Sequence, residues 1–290
     1  AYGCPVEHFT GRVAANTGAG TGIGRSLAVE LATMTCHVAL SDVDDDALAE
    51  TVVLVEQAAQ AVGSVKVSTA HVDVADRDAV EGWAAAVVDE FGQANLIFNN
   101  AGVALAANVP AMSYDNFRWL MEINFWGVVH GTLAFLPHLK ATGEGHVVNI
   151  SSVFGLLGIP SQSAYNAAKF AVRGFTDALR TELDIERCGV SATTIHPGGI
   201  RTNIARNARY EFADHEDAVD AEQAAIEFER LTRTTPEKAA QLILGAVVKN
   251  KRRALIGPDA HLFDAAARLS PRATQWALGK LVARNSPRIV

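Results

Sequence analysis

Tyr165 and Lys169 stand four residues apart in a stretch, Ser163 to Arg187, whose pattern predicts a helix, so both side chains leave one helix face. A phenol titrates near pH ~10, too high for easy proton exchange at neutral pH, and an adjacent ammonium favours the phenolate. Such a pair can pass a proton to or from an alcohol oxygen. Ser152 lies thirteen residues earlier, closing Asn149-Ile150-Ser151-Ser152 after a β-prone run. A Tyr-x-x-x-Lys pair alone is also an ordinary helix surface, so its weight depends on what accompanies it.

What accompanies it is Thr17-Gly18-Ala19-Gly20-Thr21-Gly22-Ile23-Gly24, set between a first strand and its helix. Residues without Cβ atoms let a backbone turn tightly and approach a ligand, and free N–H groups at the following helix terminus favour phosphate. The segment departs from the strict GxGxxG pattern, and by itself equals any Gly-rich loop. Its context adds to it. Asp42 follows eighteen residues after Gly24, at the end of the second strand, where a carboxylate accepts both adenosine ribose hydroxyls. A 2'-phosphate there would meet like charge, and Val43, Asp44, Asp45 and Asp46 supply no offsetting cation. NAD is the expected cofactor, and its positive nicotinamide would further favour a Tyr165 phenolate. Asp44 to Asp46 read as a solvated helix start.

The elements that must position these residues alternate. Short β-prone runs occur at Arg12–Asn16, His37–Ser41, Val65–Ala70, Asn95–Phe98, His146–Ile150, Val190–Ile195 and Ala254–Ile256. Helical stretches lie between them, among them Asp45–Ala61, Arg77–Phe91, Tyr114–Lys140 and Ser163–Arg187. Crossovers of that length imply an α/β, Rossmann-type doubly wound fold: a seven-stranded parallel sheet with helices on both faces. No repeat or Pro/Ser-rich linker cuts the chain, so residues 1–290 read as one dinucleotide-binding and catalytic domain. A polar, acidic stretch, Ala205 to Glu229, lies within an expected substrate-loop region at 203–235, and a C-terminal helical extension is expected over 258–290.

Composition removes several functional classes. The 290 residues carry a formal net charge of -7, which offers no positive field for nucleic acid. Cys4, Cys36 and Cys188 form no CxxC and leave an odd thiol, which fits a reducing, cytoplasmic setting. No apolar run reaches the ~20 residues that span a bilayer, and Ala1 to Arg12 lacks a signal-peptide core. The histidines show no ligand pattern such as HExxH, so no metal is expected, and His196 beside Pro197 reads as a packed side chain without a catalytic role.

The conjunction of motifs resembles the classical short-chain dehydrogenases/reductases over about Phe9 to Gly257, whose TGxxxGxG, NNAG, Asn, Ser, YxxxK and PG motifs occur here in order. The resemblance implies that Gly18, Gly20, Thr21, Gly22, Ile23 and Gly24 hold the pyrophosphate, and that Asp42 and Val43 meet the adenosine ribose. It further implies that Asp73 and Val74 border adenine and that Asn100, Ala101 and Gly102 belong to the NNAG segment. Asn124 would anchor a water leading to Lys169, and Ser152 would hydrogen-bond the substrate oxygen. Tyr165 would be the general acid/base. Lys169 would hold the nicotinamide ribose and lower the tyrosine pKa, while Pro197, Gly198, Ile200 and Thr202 close around the nicotinamide. The expected activity is hydride transfer between NAD and a secondary alcohol or ketone. An NADPH-linked 3-oxoacyl reductase is disfavoured by Asp42, and a nucleotide sensor by the complete catalytic set. Extended-type epimerases carry a TGxxGxxG pattern that Thr17 to Gly24 does not show.

Four expectations concern surroundings. Asn16 occupies a first-strand position usually apolar, and its buried amide requires partners. Val103, Val153, Phe154, Leu156, Leu157 and Ile159 either line a lipophilic substrate pocket or pack near the sheet. The helix after Tyr114 is apolar around most of its circumference, which predicts a homodimer or homotetramer. The tail is basic and amphipathic, with Arg268, Arg272, Lys280, Arg284 and Arg288 beside Leu269, Trp276, Leu278, Leu281 and Val282. It could touch an anionic membrane, but packing on the protein is the favoured reading.

Overall fold

A computed structural model describes residues 6, 8–211 and 232–285, with the side chains of 281–285 excepted. β1 (Val13–Thr17), β2 (His37–Asp42), β3 (Val67–His71), β4 (Leu96–Asn99), β6 (Gly145–Ile150), β7 (Val190–Pro197) and β9 (Arg253–Ile256) form one sheet in the order β3-β2-β1-β4-β6-β7-β9. Every pairing is parallel. All seven strands read from the sequence are present within two residues of their expected bounds. β1, β4, β6 and β7 are buried along their whole length, as strands covered on both faces must be.

The two faces carry separate apolar layers. α1 (Gly22–Thr33) and α7 (Pro236–Val248) cover one with Leu27, Leu31, Ile243 and Leu244. α3 (Arg77–Phe91), α5 (Gly127–Ala141) and α6 (Ser163–Glu186) cover the other with Trp83, Val87, Phe135, Leu139 and Leu179. α2 (Asp45–Gln60) flanks α1 and β2. The chain reverses its winding between β1 and β4, so a crevice opens there at the carboxyl ends of the strands.

Asn16 is fully buried and its amide nitrogen donates to the Gly24 carbonyl at 2.8 Å, which ties β1 to the first turn of α1. Its Oδ1 has no partner among the described residues, the half-satisfied state that makes a buried amide costly.

Two features were not legible in the strand–helix alternation. The helix expected over Tyr114–Lys140 is α4 (Tyr114–Met121) joined to α5 by a π-helical turn, Glu122–Trp126. A second, two-stranded parallel sheet pairs β5 (Leu105–Ala107) with β8 (Arg209–Glu211). Beyond 211 the acidic stretch lies outside the described residues. The C-terminal extension forms α8 (Pro258–Leu269) and α9 (Pro271–Asn285) and lies on the protein. Asp264 pairs with Arg253 of β9 at 3.0 Å, and the Gln275 amide, turned to satisfy both groups, donates to Gly158 O at 3.3 Å and accepts from Gly158 N at 3.2 Å. Leu269 and Trp276 stay exposed.

Two histidines sit inside this frame. His146 shares a hydrogen bond with Thr193 Oγ1 at 2.7 Å, and burial pushes its pKa down to about 3. His196 hydrogen-bonds the Ser152 carbonyl at 2.9 Å, and burial brings it to about 4. Between these values and the ordinary 6.5 the unfolded chain binds protons that the folded chain refuses, so stability is lost as pH falls below 6.5. Denaturant melts are expected to show a fall between pH ~6.5 and ~5 on the order of 2 kcal/mol per histidine, which His146→Leu reduces. A flat profile over that interval would contradict the assignment.

Candidate active site

The glycine loop is shaped by contacts that leave no room for side chains. Gly18 and Gly22 have φ of +64° and +55°, a region that strains other residues. A Cβ on Gly24 would overlap the Gly18 carbonyl and lie 2.6 Å from Asn100 Nδ2. Asn100 donates from Nδ2 to the carbonyls of Thr17 and Gly18, each at 3.0 Å. Thr17 Oγ1 accepts the N–H groups of Asn100 at 3.0 Å and Ala101 at 3.1 Å, so the NNAG segment is stapled to the loop. Thr21 precedes α1 in extended conformation with no side-chain cap, and Ile23 packs on the core beneath. Thr202 stands over the loop, its methyl 3.0 Å from where a Gly22 Cβ would fall.

Asp42 ends β2 and turns toward this loop: Oδ2 accepts from Gly20 N at 2.7 Å, and Oδ1 from Val43 N at 2.8 Å. Asp44 caps α2 by accepting from Ala47 N, the helix-start role expected of that cluster. The nearby cation, Arg25, is bound to the Gly20 and Ala47 carbonyls and to Glu50 at 2.9 Å. Asp73 and Val74 follow β3. Asp73 accepts from Ala75 N, and buried Val74 presses on Gly127 so closely that a Cβ there would fall 2.7 Å from its methyl.

The four chemical residues come from three elements. Asn124 sits in the π-helical turn and is held from both ends by Val103, accepting its N–H and donating to its carbonyl at 2.8 Å each. Lys169 projects from α6, only 3% exposed, and donates to Ile150 O at 3.0 Å. A Cβ on Gly102 would lie 3.2 Å from Asn124 Oδ1 and 3.6 Å from Lys169 Nζ, so Gly102 separates the two by one small residue. The ammonium lies 5.5 Å from the Tyr165 ring centroid, and Ser152 Oγ, which accepts from Phe154 N at 3.1 Å, is near enough to the phenol to affect its titration.

Burial sets both titrations. It pushes Tyr165 up to about 12, opposed by the Ser152 hydroxyl, and brings Lys169 down to about 8. The phenol of the chain by itself is raised, where the sequence suggested a lowering, because burial in this enclosed place disfavours its charged form. At neutral pH the chain's own groups therefore hold a protonated phenol beside a protonated lysine.

The wall residues divide. Phe154 meets Tyr165 edge-on at 6.0 Å, whereas Leu156 and Leu157 face Phe170, Ala267 and Pro271 in a cleft under the tail. Val153 and Leu157 are buried, which is the packing alternative. The loop carrying them is clamped by Asn166, a residue the sequence reading passed over. It donates to Phe154 O at 2.7 Å and Leu157 O at 2.9 Å and accepts from Ile159 N at 2.9 Å. Also missed was a buried chain in which Asn99 donates to Thr132 and Asn149, and Asn149 donates to Thr176. The only available signal was polar residues at strand positions otherwise apolar. Pro197–Thr202 leaves β7 with Gly198 N on Ile256 O at 2.9 Å and Arg201 N on Thr234 O at 3.0 Å, and Ile200 is buried. Among the described residues no three His, Cys, Asp or Glu side chains gather as a metal site.

The short chain dehydrogenase family pattern matches residues 12–212. An oxidoreductase-named protein of Mycobacterium tuberculosis, SadH, is 48% identical over 284 residues, covering 97% of this chain and 99% of its own. A short chain dehydrogenase/reductase from Burkholderia phymatum in complex with NAD superposes with a TM-score of 0.83 at 29% identity, over 94% of this chain and 97% of that one. An alcohol dehydrogenase from the archaeon Thermococcus sibiricus complexed with 5-hydroxy-NADP gives 0.68 at 26% identity, over 84% and 94%.

Gly24 offers a direct test of the loop geometry. Gly24→Ala forces its methyl into the Gly18 carbonyl and Asn100, so dinucleotide binding by calorimetry is expected to weaken at least ~100-fold, a loss of ~2.7 kcal/mol. Binding within a few-fold of the parent would contradict the packing described.

Proposed function

The chain belongs to the short-chain dehydrogenase family, and we propose that it is an NAD-dependent oxidoreductase moving a hydride between nicotinamide and a secondary alcohol or ketone. The observation that carries this reading is the enclosed Ser152–Tyr165–Lys169 group beside Asn124 and the glycine loop. The loop fits a dinucleotide: Gly18, Gly22 and Gly24 let its backbone turn tightly against Ala101, Thr202 and Asn100, with its N–H groups at the start of α1, and Asp42 flanks it. Residues 1–290 act as one catalytic unit in this reading, in a cytoplasmic setting supported by the free thiols of Cys36 and Cys188.

NAD, when bound, supplies or accepts the hydride and brings a positive charge in its oxidised form. Ser152 Oγ and Tyr165 Oη both hydrogen-bond the substrate oxygen and fix it. In ketone reduction Tyr165 gives its proton to that oxygen, a transfer a phenol raised to about 12 can make at neutral pH. In alcohol oxidation it takes the proton back. Lys169 holds the nicotinamide ribose and, with the oxidised ring's charge, stabilises the phenolate. Phe154 gives the pocket an apolar wall, which supports a lipophilic substrate.

Cofactor choice follows from Asp42 and from Arg25, which is already engaged by Glu50 and two carbonyls. A 2'-phosphate would meet the carboxylate without a free cation. Tyr165→Phe is expected to lower turnover by ~10²- to 10⁴-fold while NADH still binds. NAD is expected to exceed NADP in catalytic efficiency, with Asp42→Ser narrowing the gap. Full activity in the first variant or NADP preference in the parent would overturn the mechanism or the cofactor assignment respectively. NADP preference would favour the 3-oxoacyl reductase alternative.

The reading includes a homodimer or homotetramer. Trp126, Leu133 and Phe170 are 44%, 60% and 41% exposed on the π-helical turn, α5 and α6, an apolar surface of the kind that a second copy covers. Light scattering at micromolar concentration is expected to give at least twice the chain mass of 30.8 kDa. A monomer would contradict it.

A further inference from the structure

We infer that Asp259, on the first turn of α8, is a positioning residue that sets the height of the Pro197–Thr202 loop and thereby holds the nicotinamide half of the cofactor. This rests on the reading of that loop as the nicotinamide wall.

An acidic residue in a first helical turn ordinarily serves its own helix. Asp259 does more: Oδ2 accepts from Gly199 N at 2.6 Å, across a separation of 60 residues. A charge-assisted bond of that length is among the stronger ones available to a backbone N–H. The chain is hollowed out around the carboxylate. A Cβ on Gly198 would overlap all three carboxyl atoms, and one on Gly257, whose φ is +99°, would fall 2.7 Å from Oδ1. Two backbone segments, before and after α7 in the chain, thus make room for one anion.

The consequence reaches the cofactor loop through fixed links. Gly199 is followed by Ile200, buried and bridged to Thr234, and by Arg201, whose N–H is tied to Thr234 O at 3.0 Å. Thr202 comes next and stands against Gly22. With Asp259 removed, Gly199 N loses this acceptor, while Gly198 N on Ile256 O and Arg201 N on Thr234 O remain on either side of it. The adenosine side, built from Gly18–Gly24 and Asp42, shares none of these bonds.

That separation defines the experiment. NADH and ADP-ribose, which lacks nicotinamide, are titrated into the full chain and into Asp259→Ala and Asp259→Asn. Asp259→Ala is expected to weaken NADH about tenfold while ADP-ribose stays within about twofold, and Asp259→Asn, which keeps an acceptor, recovers most of the loss. Equal weakening of both ligands, unchanged NADH binding, or an Asn variant as weak as Ala would overturn the inference. Should Asp259→Ala fail to fold, Asp259→Ser keeps a polar helix start too short to reach Gly199 and serves the same comparison. Failure of the parent chain to bind either ligand would refute the nucleotide reading itself, an outcome separate from all of these.

Discussion

A lysine ammonium buried to 3% exposure is the demand around which this site is arranged. Bringing Lys169 from 10.5 to about 8 corresponds to ~3 kcal/mol of preference for the neutral amine. Water no longer solvates the charge, so the protein must supply acceptors and space. Ile150 gives a carbonyl at the end of β6, and Gly102 gives space by lacking a side chain. Ser151 adds rigidity by donating to the Lys169 carbonyl at 2.8 Å, which locks the helix turn to the strand end. The ammonium is thereby fixed at the end of β6, close to Gly102.

The π-helical turn follows from the same demand. An α-helix running unbroken from Tyr114 to Ala141 would turn Asn124 on the regular 100°-per-residue schedule. The widened turn at Glu122–Trp126 disturbs that schedule where Asn124 must meet Val103 with both ends of its amide. Asn124 is wholly buried, so its two bonds at 2.8 Å answer the desolvation that would otherwise count against it. The same amide fixes the backbone after Gly102, and so the space beside Lys169. Irregular helix, small residue and buried cation form one assembly.

Sequence periodicity carried the sheet well because each strand is a short apolar run with a long crossover behind it. Glycines and the Tyr165–Lys169 spacing were equally legible, since the constraint on each is local: a φ sign, or one helical turn. The features that escaped are those whose cause lies far along the chain. Asn166 adjoins Tyr165, yet its partners Phe154, Leu157 and Ile159 belong to a loop with no periodic signal. β5 and β8 are three residues each and pair across more than a hundred positions, below anything a hydrophobic pattern resolves. Tyr165 escaped differently. Its place on a helix one turn from Lys169 was legible, but desolvation depends on enclosure, which no neighbour in sequence reports.

His196 shows how one strand end serves two walls. The sequence placed it next to Pro197 and withheld a catalytic role, and the geometry assigns it a bond to the Ser152 carbonyl at 2.9 Å. A histidine brought to about 4 by burial is neutral at working pH, so one ring nitrogen donates and the other must accept. With Nδ1 facing a carbonyl, Nδ1 is the donor and Nε2 is left as a buried lone pair without a partner among the described residues. That nitrogen lies on the side chain joining the loop after Ser152 to the loop after Pro197. The next residue, Pro197, begins the loop whose Gly199 reaches Asp259, while Ser152 begins the loop whose Gly158 reaches Gln275. α8 and α9 thus each hold one of the two loops, and His196 ties the beginnings of both together. Displacing either loop alone would strain a bond to the other, so the Ser152 hydroxyl and the Pro197–Thr202 loop are kept in register by the same few contacts.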